Sequence, residues 1–286
     1  MKNLLKMMRV KHYIKNFLIF IPLIFSGHLF NTNVLFKAFL GFISFSFLSS
    51  AIYIIYDVKD IQKDRLHPTK SQRPIASGRV SVRTAIFVMI CCLLAFAAAY
   101  LLSGTYNPLG WVVAGLYFIL NIAYSFGLKN IPILDIAVLA SGFLLRVVFG
   151  AIVVDVWISN WLYLTVLSLS FYLGLGKRRN ELKNGSETRA VLNHYNISFL
   201  DKFMYVMLTL GIVFYSLWSV DQSTIERLGN TQFIWTIPIV VLIGMKYSLS
   251  IEGDSDGDPV EVIWKDKTLI ILVSLYVLAV MGILYL

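Results

Sequence analysis

Apolar stretches of about 20 residues, separated by short polar or charged breaks, recur along the whole chain. That length carries a helix across the roughly 30 Å hydrocarbon core of a bilayer. The pattern predicts nine spans, near residues 14–31, 33–56, 84–103, 109–127, 133–154, 157–176, 199–220, 231–250 and 268–286. The first is the most interrupted, by Pro22, Ser26 and His28. It lacks a small-residue cleavage site, so no removable signal segment is expected. The short alternating segments of a membrane β-barrel are not evident. The fold class expected is therefore all-α, a polytopic bundle forming one transmembrane domain over residues 1–286.

Composition agrees. Hydrophobic residues make up 58% and charged residues 14% of the 286, against roughly 25% charged in soluble chains. A net charge of +9 would suit nucleic acid, but its distribution argues otherwise. With nine spans, 22 of the 25 Lys and Arg residues fall on one side of the membrane. That side is the cytoplasm by the positive-inside rule. The expectation is a multi-pass protein of the cell (inner) membrane, in contact with membrane lipids, with its N-terminus cytoplasmic and its C-terminus external. Cys91 and Cys92 are adjacent within a span and the four histidines are scattered, which gives no disulfide framework and no zinc or haem ligand set.

The densest charge lies in "YDVKDIQKDRLHPTKSQRPIASGR", from Tyr56 to Arg79, directly after the second span. Asp57, Asp60 and Asp64 stand at i, i+3 and i+7, within about 60° on one helix face. Carboxylates so spaced repel one another unless a cation sits among them. Mg²⁺ suits such oxygen ligands and leaves room for substrate phosphates. A solvated helix end paired with Lys59, Lys63 and Arg65 is the plainer account. Against it, ionisable residues emerging from a span are functional by default. Lys70, Arg73 and Arg79 follow in a stretch where Pro68, Pro74 and Gly78 impose a turn. Bases in a rigid loop beside a carboxylate–metal site suit a diphosphate substrate.

"YDVKDIQKD" resembles the NDxxDxxxD motif of the UbiA superfamily of intramembrane prenyltransferases. "DRLHPTKSQRPIASG", "RVKHYIKN" (Arg9–Asn16), "YSFGLKNIPILD", "LGKRRNEL" and "DPVEVIWKDKTL" are similar to one branch, the decaprenyl-phosphate phosphoribosyltransferases. The resemblance spans nearly the whole chain. It implies nine helices, a cytoplasm-facing Mg²⁺–diphosphate site, 5-phosphoribosyl 1-diphosphate as donor and a polyprenyl phosphate as acceptor. Asp57, Asp60 and Asp64 are then the metal ligands, and Asp135 a further catalytic residue that supplies a ligand or orients a sugar hydroxyl. Arg9, Lys11, Lys15, Asn16, Arg65, Lys70, Arg73, Tyr124, Ser125, Lys129, Lys177 and Arg178 are the expected substrate-binding residues. One position departs: Tyr56 stands where the motif opens with Asn, and a phenol does not mimic a carboxamide.

Each of these groups has a second reading. Bases before the first span and in "GKRRNELKNG" (Gly176–Gly185) also set membrane orientation. Arg146, deep in a span, either ties helices together or lines a cavity. "EGDSDGD" (Glu252–Asp258) fails as a calcium loop, because Pro259 and Lys265 occupy the positions that loop needs for Gly and Glu. Two other activities remain open. A conventional prenyltransferase of the superfamily uses a second, more acidic motif, where this chain offers only Asp135. An anion transporter would explain the bases but not three same-face carboxylates, and transport sites lie near the midplane. The oligomeric state, a homo-oligomer included, stays open.

Overall fold

The computed structural model describes residues 2–185, 190–253, 255 and 257–285. Two acids of the Glu252–Asp258 loop, Asp254 and Asp256, lie outside them, as do Met1, residues 186–189 and Leu286. Among the described residues every regular element is helical.

Among the described residues, seven helices are long and apolar enough to cross a membrane: Thr32–Lys59, Val82–Leu102, Pro108–Phe126, Leu134–Val154, Ile197–Val220, Gln232–Glu252 and Lys267–Tyr285. Three of them, and the Asn160–Lys183 helix, begin at capping side chains. Asn31, Ser81, Ser159 and Asn196 each accept a hydrogen bond from a backbone N–H of the first helical turn, which satisfies donors that a helix start leaves orphaned. Large apolar side chains such as Phe87, Leu94, Val112, Ile119, Met245 and Leu278 point outward. In water such a surface would be unfavourable, whereas against lipid tails it is neutral and the helical backbone is satisfied internally. The protein is a multi-pass membrane protein.

Two of the nine expected spans take another form. Residues 14–31 do not make one helix. A 3₁₀ segment, Val10–Phe20, is followed by a four-residue α-helix, Ile21–Ile24, and then by Gly27 in the left-handed region at φ 77°. Pro22 and that glycine end the segment. The span expected at 157–176 is a 24-residue helix, Asn160–Lys183. It runs on into the charged "KRRNELK", and its many hydroxyl side chains make it less apolar than the other seven.

By their internal contacts the residues separate into two compact units. One comprises Met1–Ile24, His28–Ser125 and Leu145–Trp157; the other Phe25–Gly27, Phe126–Leu144 and Ile158–Leu286. The first is built around Ile19, Phe45, Ile52, Tyr100, Tyr117 and Phe149. A Cβ on Gly150 would lie 2.1 Å from the Ile19 carbonyl oxygen, so only glycine permits that approach of helix to 3₁₀ segment. In this unit Arg146 donates to Asn16 Oδ1 at 2.7 Å and to the Tyr117 hydroxyl at 2.8 Å. Asn16 also donates to Ser46 at 2.9 Å. Arg146 thus ties three elements together, the first of the two readings above. The second unit packs Tyr172, Leu175, Val191, Leu200, Met204, Tyr247 and Ile251 together, with Asn160–Lys183 and Ile197–Val220 lying side by side.

Candidate active site

In the first unit the long Thr32–Lys59 helix stops at Asp60, and a short helix, Ile61–Leu66, follows. The break separates the acids that a continuous helix would place on one face, yet Asp57 and Asp64 still meet. Both are buried, and both carboxylates reach the same nitrogen: Arg73 Nη1 lies 3.1 Å from Asp57 Oδ1 and 2.7 Å from Asp64 Oδ2. Arg9 Nη2 adds a second donor to Asp57 Oδ1 at 2.5 Å. Asp60 is half-buried at the junction of the two helices. No group of three acidic, His or Cys side chains is assembled as metal ligands among the described residues.

Each arginine is held by its own local structure. Arg9 adopts φ 53°, turning the chain between the Lys2–Met7 helix and the 3₁₀ segment. Ser50 donates to the Met8 carbonyl at 2.8 Å and accepts from the Tyr13 hydroxyl at 2.7 Å. The Arg9 guanidinium lies 4.8 Å above the Tyr53 ring, a cation–π contact. Arg73 leaves the 3₁₀ turn Lys70–Gln72 before buried Pro74, and Ser77 donates to its carbonyl at 2.8 Å. Arg65 donates to Ala76 O at 3.2 Å and Arg79 to Gln72 O at 2.6 Å. The loop is thereby stapled to itself, and Arg65 serves the loop. Lys11 is exposed; Lys15 and Lys70 are half-buried.

The departure at Tyr56 has a structural account. Its hydroxyl donates to the Asn121 backbone oxygen at 2.8 Å and side-chain oxygen at 3.0 Å, fastening one helix to the next. Nearby, the Lys59 ammonium donates to the Ser125 carbonyl. Ser125 is buried with its hydroxyl unpartnered, and Tyr124 is half-buried.

The donor set fits Mg²⁺. Two buried carboxylates offer hard oxygens that converge on one cationic point, as a divalent ion requires. The Arg73 guanidinium occupies that point here, since an uncompensated pair of buried carboxylates is costly.

The second unit holds a different constellation. Asp135 and Arg178 are both fully buried, and Arg178 Nε donates to Asp135 Oδ2 at 2.5 Å. Its Nη1 reaches Glu181 at 2.6 Å. The other Asp135 oxygen accepts from the Tyr195 hydroxyl at 2.5 Å. Arg178, expected to bind substrate, is thus committed to two carboxylates, while Lys129 and Lys177 are half-buried. Arg179 pairs with Asp201 at 2.5 Å. Glu181 and Tyr195 were not among the expected residues. The i, i+3 spacing of Arg178 and Glu181 was a readable signal; the 60-residue separation of Tyr195 from Asp135 left none.

Polytopic helices, a buried acid pair at the end of the Thr32–Lys59 helix and in the short helix that follows it, and a basic loop beside them are the features an intramembrane transferase would need. The sequence profile of the UbiA prenyltransferase family matches residues 17–251, and the chain belongs to that family. Among its relatives is the decaprenyl-phosphate phosphoribosyltransferase of Corynebacterium glutamicum, 31% identical over 99% of this chain and 87% of that one. The protein of that name from Mycolicibacterium smegmatis is also 31% identical, over 94% of this chain and 88% of that one. Among solved structures, a UbiA homologue from Archaeoglobus fulgidus bound to DMAPP and Mg²⁺ superposes with a TM-score of 0.72. It is 17% identical, with 99% of each chain covered, a likeness of fold.

Proposed function

We propose that the protein transfers the 5-phosphoribosyl group from 5-phosphoribosyl 1-diphosphate to a polyprenyl phosphate, with Mg²⁺, at the cytoplasmic face of the membrane. The observation that carries this reading is the near-full-length likeness to phosphoribosyltransferases acting on decaprenyl phosphate. The first unit's charge cluster supports it. Asp57, Asp60 and Asp64 would hold the metal, which supplies charge neutralisation for the departing diphosphate.

An acceptor phosphate oxygen attacks the anomeric carbon, the bond from that carbon to the diphosphate oxygen breaks, and diphosphate leaves with the electron pair. The acceptor is already ionised at neutral pH, so no strong base is needed. Work falls to charge and alignment. Arg9 and Arg73 turn from the carboxylates to phosphate oxygens, joined by Lys11, Lys15 and Lys70. Lys129 and Lys177 bind phosphate in the same reading. The donor is anionic and soluble and enters from the basic side, whereas the lipid tail needs apolar helix faces.

The decisive experiment incubates purified protein with labelled phosphoribosyl diphosphate and several polyprenyl phosphates, and reads lipid products by mass spectrometry. A phosphoribosylated lipid, with diphosphate released only when both substrates are present, is expected. Prenylation of an aromatic acceptor instead would move the protein to the conventional branch. A cysteine introduced at Ser71 should label only from the cytoplasmic side, and a reporter fused after Leu286 should read as external.

A further inference from the structure

We propose that Tyr195 is a positioning residue: its hydroxyl holds the strained turn that carries Lys129. This rests on the reading that Lys129 binds a phosphate of the donor. The turn runs through "GLKNIPILD", where a short 3₁₀ element, Leu128–Asn130, precedes Pro132 and the helix Leu134–Val154. Ile133 stands at that helix's start, its carbonyl accepting from Ala137 N–H at 2.8 Å. Its φ is 70°. A β-branched residue is a genuine outlier there, and such strain persists only where the surroundings over-determine it.

Tyr195 supplies that constraint. The Ile133 N–H, one of the orphan donors of a helix start, donates to the Tyr195 oxygen at 2.5 Å. The Tyr195 O–H in turn donates to Asp135 at 2.5 Å, whose other oxygen is held by buried Arg178. One hydroxyl thus fixes both sides of the bend, and the chain of bonds ends in a fully buried ion pair. The segment before Tyr195, Ala190–His194, packs against Leu128–Asn130 as well. Burial, then the bond to the Asp135 carboxylate, pushes the Tyr195 phenol above its ordinary pKa. A phenol of ordinary pKa, about 10, is already protonated at neutral pH, so the hydroxyl is a donor there with or without that shift.

Tyr195→Phe removes both bonds but keeps the ring in its stack with Phe199, 6.1 Å between centroids. The test measures steady-state kinetics against phosphoribosyl diphosphate for Tyr195→Phe, Lys129→Ala and the double variant. Amide hydrogen exchange of residues 128–135 is followed in parallel. The expected result is a donor KM raised about tenfold in each single variant, with the double no worse than the worse single. Two changes acting through one contact are not additive. A purely structural defect would lower the amount of active enzyme and leave KM alone. An unchanged KM in Tyr195→Phe, or losses that multiply, would overturn the inference. Exchange separates it from the functional reading. If wild type makes no phosphoribosylated lipid, the reading fails. Faster exchange of about tenfold confined to this turn in Tyr195→Phe would then still support the restraint, and unchanged exchange would overturn it.

Discussion

Two acid–arginine clusters, one in each unit, pair the same groups at different depths. Around Asp57 and Asp64 the arginine side chains keep solvent contact, Arg9 at 20% and Arg73 at 29% relative exposure. Around Asp135 the Arg178 side chain has none. A guanidinium open to solvent can exchange a carboxylate for a phosphate without passing through a desolvated, unpaired state. One sealed among Asp135, Glu181 and Tyr195 cannot. We infer from this that exposure of the cation, more than the number of charges, separates a cluster suited to exchanging partners from one suited to holding a fold.

The sharpest way to break this comparison is to remove the sealed cation. Arg178→Met leaves Asp135 buried with a lost partner, and breaking a buried pair costs about 3–5 kcal/mol. Denaturant unfolding in detergent should show that loss, and little folded protein should be recovered from membranes. The double change Asp135→Leu with Arg178→Met should recover most of it, because similar-sized apolar residues often replace a buried ion pair without penalty. A stable Arg178→Met protein inactive only in turnover would place Arg178 in the reaction and dissolve the distinction.

The open cluster should respond the opposite way. Asp57→Asn or Asp64→Asn keeps volume and removes charge. Either should lower kcat by about 100-fold or more while insertion and unfolding stay near wild type, a scale typical of lost electrostatic stabilisation. Chelation should abolish turnover and added Mg²⁺ restore it. Full activity in chelator would remove the metal from the reading. Next in size is Arg73→Ala, expected to raise the donor KM by roughly 2–5 kcal/mol in free-energy terms, through loss of an anion's charge partner. Lys70→Ala should act in the same direction. Ribose 1-diphosphate, lacking the 5-phosphate, should be a poor donor for wild type and nearly indifferent to both changes. Equal losses with the two donors would assign the loop to the diphosphate.

The open cluster was partly legible in the sequence. The spacing of Asp57, Asp60 and Asp64 and the proline-framed loop pointed to acids and bases gathered at one place, and Asp57, Asp64 and Arg73 do meet. The reason was only partly right. The acids converge because the helix breaks at Asp60 and the loop folds back, not because one helix face carries all three. Burial was the illegible part. "GKRRNEL" shows three successive bases, and nothing local tells that Arg178 is sealed while Lys177 is half-buried. That difference is set by Asp135, 43 residues earlier. The first span misled for a related reason. Its apolar content suits a helix, but Asn16 is drawn to Arg146, 130 residues away, and Pro22 and Gly27 then end the segment.

The smallest expected effect lies at Tyr56, beside the open cluster, and it asks how far that cluster extends. If the phenol takes over a metal-site role of the motif's usual Asn, then Tyr56→Phe should weaken Mg²⁺ activation. The geometry points elsewhere, since the hydroxyl is spent on both oxygens of Asn121. Losing one such bond typically costs about 1 kcal/mol net. The half-buried site lets water replace part of it. Tyr56→Phe should therefore lower unfolding stability by about 1 kcal/mol and leave the Mg²⁺ concentration for half-maximal activity unchanged. Tyr56→Asn should be worse for stability, because it also removes a ring packed 6.3 Å from Tyr53, on whose other contact Arg9 rests. A several-fold rise in the Mg²⁺ requirement of Tyr56→Phe, at unchanged stability, would instead bring the phenol into the metal site. The open cluster would then reach one residue further along the Thr32–Lys59 helix than its ion pairs show.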